Sequence, residues 1–275
     1  MLIFTGMKQE LEDLVKKATQ GDKKALEKVV IEIQDLVYNL ALRMLWHPED
    51  AKDASQEVFI KIITNLGSFN HKSAFTTWVY RVTSNTLINY KKKYFKESIS
   101  FDEFETQLNQ GFSDSIDFTS NETEQKLLVL EVKIGCSNAM LQCLNKKSRL
   151  VYIIGEILEF NSIQGAEILS ITPDNFRQKL SRARNKIRSF MQSNCGIINK
   201  KNPCRCAKKI DSSIAKGMIC PDKLQFVTDN RDVALIDTID SIENEVSLYQ
   251  SNPNYNTPEK IIKEVKNIIT AANIV

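Results

Sequence analysis

Apolar residues recur every three or four positions along nearly the whole chain, the period of an amphipathic helix. Breaks are few, with only nine glycines and six prolines in 275 residues. The expected fold class is therefore all-α. Residues 7–46 read as two helices parted near "TQGDKKA", with Asp22 capping the second. "HPEDAKDASQEVFIKIITNLG" reads as a third, with Pro48 in its first turn and Gly67 ending it. "SAFTTWVYRVTSNTLINYKKKYF" is a long fourth. From Glu97 to Gln125 the chain has no Lys or Arg, while Asp and Glu recur among Ser, Asn, Thr and Gly. That composition predicts an acidic linker and a domain boundary. Helices resume near Lys126, and two further amphipathic stretches lie at about 231–250 and 257–272. The pattern thus predicts two small helical domains joined by the linker, plus a C-terminal helical extension.

One hairpin stands out. In "FNSIQGAEILSITPDNF" a short helix, with Ile163, Ala166, Ile168 and Leu169 apolar, meets a turn at Leu169–Thr172 with Ile171 pointing inward. Thr172 caps the next helix and Pro173 takes its first position. On that second helix Phe176, Leu180, Ala183, Ile187 and Phe190 share a core face. Asp174, Arg177, Gln178, Ser181 and Arg182 lie opposite, with Arg188 further along. A short helix, a tight turn and a capped basic helix make the helix-turn-helix pattern. Its second helix would enter the major groove, where arginine pairs bidentately with guanine and glutamine with adenine. For the basic face alone, a merely solvated surface is an equal alternative.

Two more polar rows need weighing. On the fourth helix Phe75, Val79, Val82, Thr86 and Tyr90 form the core side. Trp78, Arg81, Asn85, Asn89 and Lys92 form a second stripe of ring, amide and cation, a set suited to unpaired bases and their phosphates. The plainer alternative is a half-buried tryptophan beside solubilising lysines. On the third helix Ala51, Ala54, Val58, Phe59, Ile62 and Leu66 cover the apolar arc. Asp53, Gln56, Glu57 and Ile60 cluster on the far side, an acidic-apolar ridge fit to dock a basic partner.

Composition narrows the classes. The formal net charge is only +3, so nucleic-acid contact would have to come from local basic patches. No apolar run approaches the roughly 18 residues of a membrane span, so no membrane insertion is expected. "MLIFTGMKQELEDLVKK" lacks the basic and apolar regions of a signal peptide. Six cysteines without an export signal are most simply cytosolic thiols, which points to the cytoplasm. The two histidines, His47 and His71, both fall in turns. With no phosphate loop, triad or metal-ligand set beside them, no enzyme is expected.

Together these pieces resemble a bacterial RNA polymerase sigma factor of the extracytoplasmic-function group. "DAKDASQEVFIKIITNLGSFNHKSAFTTWVYRVTSNTLINYKKK" resembles the family's region two, with its D-x-x-Q-E-x-F and T-W-x-Y-R-x-x-x-N motifs. "LNKKSRLVYIIGEILEFNSIQGAEILSITPDNFRQKLSRARNKI" resembles region four, with A-E-I-L, the turn and L-S-R-A-R. The resemblance covers about residues 7–191. It implies region two at 1–96, an acidic linker at 97–126, region four at 127–192 and an extension at 193–275. It further implies that Asp53, Gln56, Glu57 and Ile60 dock core polymerase. Trp78, Arg81, Asn85, Asn89 and Lys92 would melt and read the minus-10 element. Asp174, Arg177, Gln178, Ser181 and Arg182 would read the minus-35 element. Implied partners are core RNA polymerase, promoter DNA and an anti-sigma factor. Two departures are Gly165, where an apolar residue is usual, and Ser170, in place of the usual turn glycine. The competing reading is a helix-turn-helix regulator that never binds polymerase.

The extension carries Cys195, Cys204, Cys206 and Cys220, spaced C-x8-C-x-C-x13-C, which is not a standard zinc spacing. If residues 195–220 folded into a compact knot, the four thiols could hold zinc, with nearby Lys and Arg favouring thiolate. Reduced structural thiols are the default. The two later amphipathic stretches, the last carrying Ile261, Ile262, Val265, Ile268 and Ile269, could then fold back on the rest and gate promoter access; undocked they would be a passive appendage, and a structural role is the default.

Overall fold

In a computed structural model the described residues are 2–91, 99–113, 122–227, 239 and 242–271. Among them the regular elements are helical: α1 (Leu2–Thr19), α2 (Lys23–Leu45), α3 (Pro48–Asn65), α4 (Phe75–Asn89), α5 (Phe101–Leu108), α6 (Glu122–Gln142), α7 (Lys146–Tyr152), α8 (Ser162–Leu169), α9 (Pro173–Asn194), α10 (Ile210–Ala215), α11 (Glu245–Gln250) and α12 (Glu259–Ala271). The all-α expectation holds for these residues. They form two compact units. One comprises residues 1–96, 161–176 and 254–275; the other comprises 97–160 and 177–253.

In the first unit the caps are where the residues dictate. The Asp22 carboxylate accepts from the amides of Lys24 and Ala25 at 2.9 and 3.0 Å, satisfying orphan donors at the start of α2. His47 accepts from the Glu49 amide ahead of Pro48 at the start of α3. The stop differs from expectation: α3 ends at Asn65, and Gly67 sits inside a short 3-10 turn, Leu66–Ser68. The α3 residues Ala51, Ala54, Val58, Phe59 and Ile62 are buried with Val29, Ile33, Val37 and Met44 of α2. α4 closes this core with Phe75, Val79 and Leu87.

α8 packs on α4 in this unit, so the segments 1–96, 97–126, 127–192 and 193–275 are not the packed units. Ala166 and Ile168 are buried, but Ile163, expected on the apolar side, is 70% exposed. With eight residues α8 has only two turns, and its capping box, in which Asn161 and Gln164 bond each other's amides, fixes Ile163 on the outer one. Gly165 has a reason: a Cβ there would stand 2.4 Å from the Phe176 ring. Ser170 adopts the left-handed conformation at φ 53° that ends α8, a role glycine usually takes.

In the second unit the stretch read as an acidic linker contains α5, opened by a capping box in which the Ser100 hydroxyl accepts from Glu103 N and the Glu103 carboxylate from Ser100 N. Phe104 and Leu108 are buried, and Phe101 and Phe104 lie 5.3 and 5.5 Å from the Phe190 ring of α9. In the turn between α6 and α7 the buried Arg149 guanidinium donates to the carbonyls of Leu141, Gln142 and Leu144. Gly155 admits Leu180 of α9, whose methyl would lie 2.7 Å from a Cβ.

Candidate functional site

The α3 ridge keeps its mixed character. Ile60 is 42% exposed, Glu57 is exposed and pairs with Lys61 at 2.7 Å, and Asp53 and Gln56 are half-buried. The Gln56 amide donates to the carboxylate of Glu264 in α12. One of these four side chains, Gln56, is therefore already engaged by another helix of the same unit.

On α4 the stripe divides. Trp78 is half-buried, its ring stacked on Phe75 at 5.6 Å and tilted against Phe69 at 5.7 Å. It is thus anchored on the core through Phe69 and Phe75, as the plainer alternative of a half-buried tryptophan has it. Arg81 pairs with Glu167 of α8 at 3.4 Å. Asn85 and Asn89 are exposed, and the Asn89 amide donates to the Asn85 carbonyl one turn back. Lys92 lies outside the described residues.

The start of α9 is built as the sequence requires. The Thr172 hydroxyl accepts from Asn175 N at 3.2 Å, and Phe176, Ala183, Ile187 and Phe190 are buried, with Met191 added. Asp174, Arg177, Gln178, Ser181 and Arg182 are exposed. The other arginines have structural duties. Arg184 pairs with Glu156, whose hydrogen bond holds the guanidinium pKa above its ordinary value. Arg188 donates to Glu245 at 2.6 Å, a carboxylate only 3% exposed. The arginines of α9 therefore split into Arg177 and Arg182, exposed beside Gln178, and Arg184 and Arg188, which pair with carboxylates of the same unit while Arg188 itself stays 54% exposed. Lys186, exposed one turn beyond Arg182, is a further outward cation that the sequence reading omitted; its i+4 spacing from Arg182 was the available signal.

The cysteine segment folds tightly. Cys195 and Cys204 meet in an isolated parallel bridge. The Arg205 guanidinium folds back onto the carbonyls of Lys200, Asn202 and Cys204 at 2.6 to 2.9 Å. Gly196 sits so close to the Cys204 carbonyl that a Cβ would fall 2.0 Å from it. Cys204 is buried while Cys220 is exposed. Among the described residues no group of three or more His, Cys, Asp or Glu is placed to hold a metal ion. For Cys204 and Cys206 the expected thiolate is disfavoured. Burial pushes the Cys204 thiol up to about 11 and Cys206 up to about 12, outweighing the neighbouring Arg205, Lys209 and Lys133. Cys136 and Cys143 on α6 are raised by burial as well.

No helix among the described residues is long and apolar enough to cross a membrane. Residues 29–95, which span most of α2 and all of α3 and α4, match the family described as Sigma-70 region 2. The chain is 29% identical over 191 residues to the ECF RNA polymerase sigma factor SigW of Bacillus subtilis, covering 68% of this chain and 99% of that protein. It is 27% identical to the B. subtilis RNA polymerase sigma factor YlaC over 56% of this chain and 85% of the relative. Similarity to the ECF RNA polymerase sigma-E factor of Haemophilus influenzae reaches 42% but over 86 residues, 30% of this chain and 45% of that one. A solved structure of CnrH in complex with the cytosolic domain of CnrY matches with a TM-score of 0.49 at 16% identity, over 66% of this chain and 96% of that chain.

Proposed function

Because this chain is an RNA polymerase sigma factor of the extracytoplasmic-function type, we propose that its exposed polar rows divide the work of transcription initiation. Sigma factors are non-enzymatic subunits that bind core polymerase and direct promoter recognition and melting. The α3 ridge of Asp53, Gln56, Glu57 and Ile60 docks core polymerase: acid attracts a basic partner while Ile60 supplies the apolar centre. The α4 stripe of Trp78, Arg81, Asn85, Asn89 and Lys92 takes the melted minus-10 strand, with the ring stacking, the amides bonding base edges and the cations following phosphate. On α9, Arg177, Gln178 and Arg182 read the minus-35 duplex in the major groove; Asp174 and Ser181 flank them, and Lys186 contacts phosphate. The site of action is the cytoplasm.

The observation that carries this reading is the family match over residues 29–95, which contains both the α3 ridge and the α4 stripe. A regulator that never meets polymerase would leave both rows without a task, so that alternative is not favoured. Chromatin mapping of the tagged protein in its own host supplies cognate promoters for the test. On such a promoter, Arg177→Ala and Arg182→Ala should each lower run-off transcription about tenfold, a middling value for one lost bidentate base contact. Binding to core polymerase should persist. Unchanged transcription in both variants would refute the assignment of α9.

A further inference from the structure

Asp35, Asn39 and Arg43 stand four residues apart on one side of α2. All three bond the segment 254–257, which runs the opposite way. Arg43 donates to the Asn254 side chain at 3.1 Å. The Asn39 amide group takes both main-chain groups of Tyr255, accepting from its N–H at 2.9 Å and donating to its carbonyl at 2.7 Å. The Asp35 carboxylate accepts from the Thr257 amide and hydroxyl at 2.7 and 2.8 Å. The spacing is matched: four helical residues rise about 6 Å, and two extended residues cover about 6.6 Å. One side of α2 therefore holds this segment through three main-chain groups, of Tyr255 and Thr257, and through the side chains of Asn254 and Thr257.

α12 follows directly. Ile261, Val265 and Ile269, again four apart, are fully buried where the helix packs on α2 and α3. Lys23 at the start of α2 donates to the Thr270 carbonyl at 3.2 Å. Glu264 receives the Gln56 amide, and Gln56 is a member of the ridge assigned to polymerase.

We propose that the α2–α3 face is a receptor for an extended strap followed by an amphipathic helix, that residues 254–271 fill it in cis, and that this segment competes with core polymerase for the α3 ridge. The competition rests on the polymerase assignment of that ridge; the receptor does not. While the strap is seated Gln56 is held by Glu264, although Glu57 and Ile60 stay exposed, so only the fraction of molecules with α12 lifted offers the whole ridge and apparent affinity for polymerase falls by that fraction.

The test uses the full-length protein and purified core polymerase. Val265→Asp places a carboxylate in the apolar seam of α12, and Thr257→Pro deletes the strap amide that bonds Asp35 while keeping an extended conformation. Deuterium exchange over 259–271 reports whether α12 has lifted, and both variants should raise it. Each should then bind core polymerase at least about tenfold tighter than the unaltered chain. Unchanged or weaker affinity, with α12 shown to be lifted, overturns the competition. Exchange that stays slow in both variants overturns the receptor. Glu57→Lys, made in the Val265→Asp chain, tests the ridge separately. Loss of polymerase binding upholds the ridge, whereas retained binding together with the tenfold gain shows that the tail competes elsewhere and overturns the assignment on which the proposal rests.

Discussion

Two stretches of the C-terminal extension are each fastened by side chains that bond main-chain groups, yet the fastenings differ in kind. In the second unit the carboxylate of Glu131, 2% exposed, accepts from the amides of Gln225, Phe226 and Val227 at 2.8 to 3.0 Å. Two residues on, Lys133 is 1% exposed and donates to the Ser251 carbonyl and hydroxyl. In the first unit the strap 254–257 is held by Asp35, Asn39 and Arg43, and its helix by three aliphatic side chains. Unpaired, the buried charges of the second unit cost more than an amide such as Asn39, although that amide is itself only 6% exposed. The contacts of 225–227 and of Ser251 are thus the costlier to break, whereas 254–271 are suited to leave and return.

That contrast fails first if Glu131 is dispensable. Glu131→Ala leaves three consecutive amides without an acceptor in a buried place, at about 1 to 3 kcal/mol per group in the unrelaxed limit. With partial relaxation the second unit should lose about 3 to 5 kcal/mol, read by urea unfolding. A loss below about 1 kcal/mol would mean that water replaces the carboxylate, and the fastening would be no more permanent than the strap.

Lys133 sharpens the same side through pH. Burial pulls its ammonium down to about 8, against about 10.4 in an unfolded chain. The charged form is the disfavoured one in the fold, so the penalty is fully present below pH 8. It is relieved as pH rises from 8 towards 10.4. Stability of the second unit should climb across that window by about 2 to 3 kcal/mol relative to Lys133→Met, which has nothing to titrate there. Parallel curves for the two proteins would show that the ammonium is effectively solvated.

On the releasable side the expected change is smaller. Asn39→Ala removes both bonds to Tyr255 and should cost about 1 to 2 kcal/mol. Because the strap can leave without unfolding α2, the loss should appear as faster deuterium exchange in α12, with little change in the global unfolding midpoint. A fall in the global midpoint matching the full loss would make the strap part of the permanent structure.

The same contrast explains what the sequence made legible. Helix period, the Asp22 and Thr172 caps and the outward rows on α3, α4 and α9 are local, and each follows from residues within a turn or two. The α5 helix was legible too, since Ser100 and Glu103 form a capping box and Phe101, Phe104 and Leu108 share a face; the acidic composition around them drew the reading towards a linker. Other features were not available locally. Glu131 meets amides more than 90 residues away, and Asn39 meets Tyr255 216 residues away. Gly165 looks like a flaw in an apolar helix until the Phe176 ring is placed above it. Cys204 and Cys206 mislead for a related reason: neighbouring Lys and Arg argue for thiolate, but burial, invisible in the sequence, wins.

The smallest effect concerns α8. Glu167 and Arg81 stand 3.4 Å apart with side chains 44% and 34% exposed, so solvent screens the pair and its net worth should be under about 1 kcal/mol. Glu167→Ala should leave the unfolding of the first unit within about 0.5 kcal/mol of the unaltered protein, and the difference should vanish at high salt. The attachment of α8 then rests on Ala166, Ile168 and the Gly165–Phe176 contact, and Gly165→Val, which drives two methyl-bearing branches into that ring, should be the more damaging change. A Glu167→Ala loss well above 1 kcal/mol would place this pair with the buried charges of the second unit. Charge would then fasten both units, and the distinction between permanent and releasable contacts would no longer follow from burial.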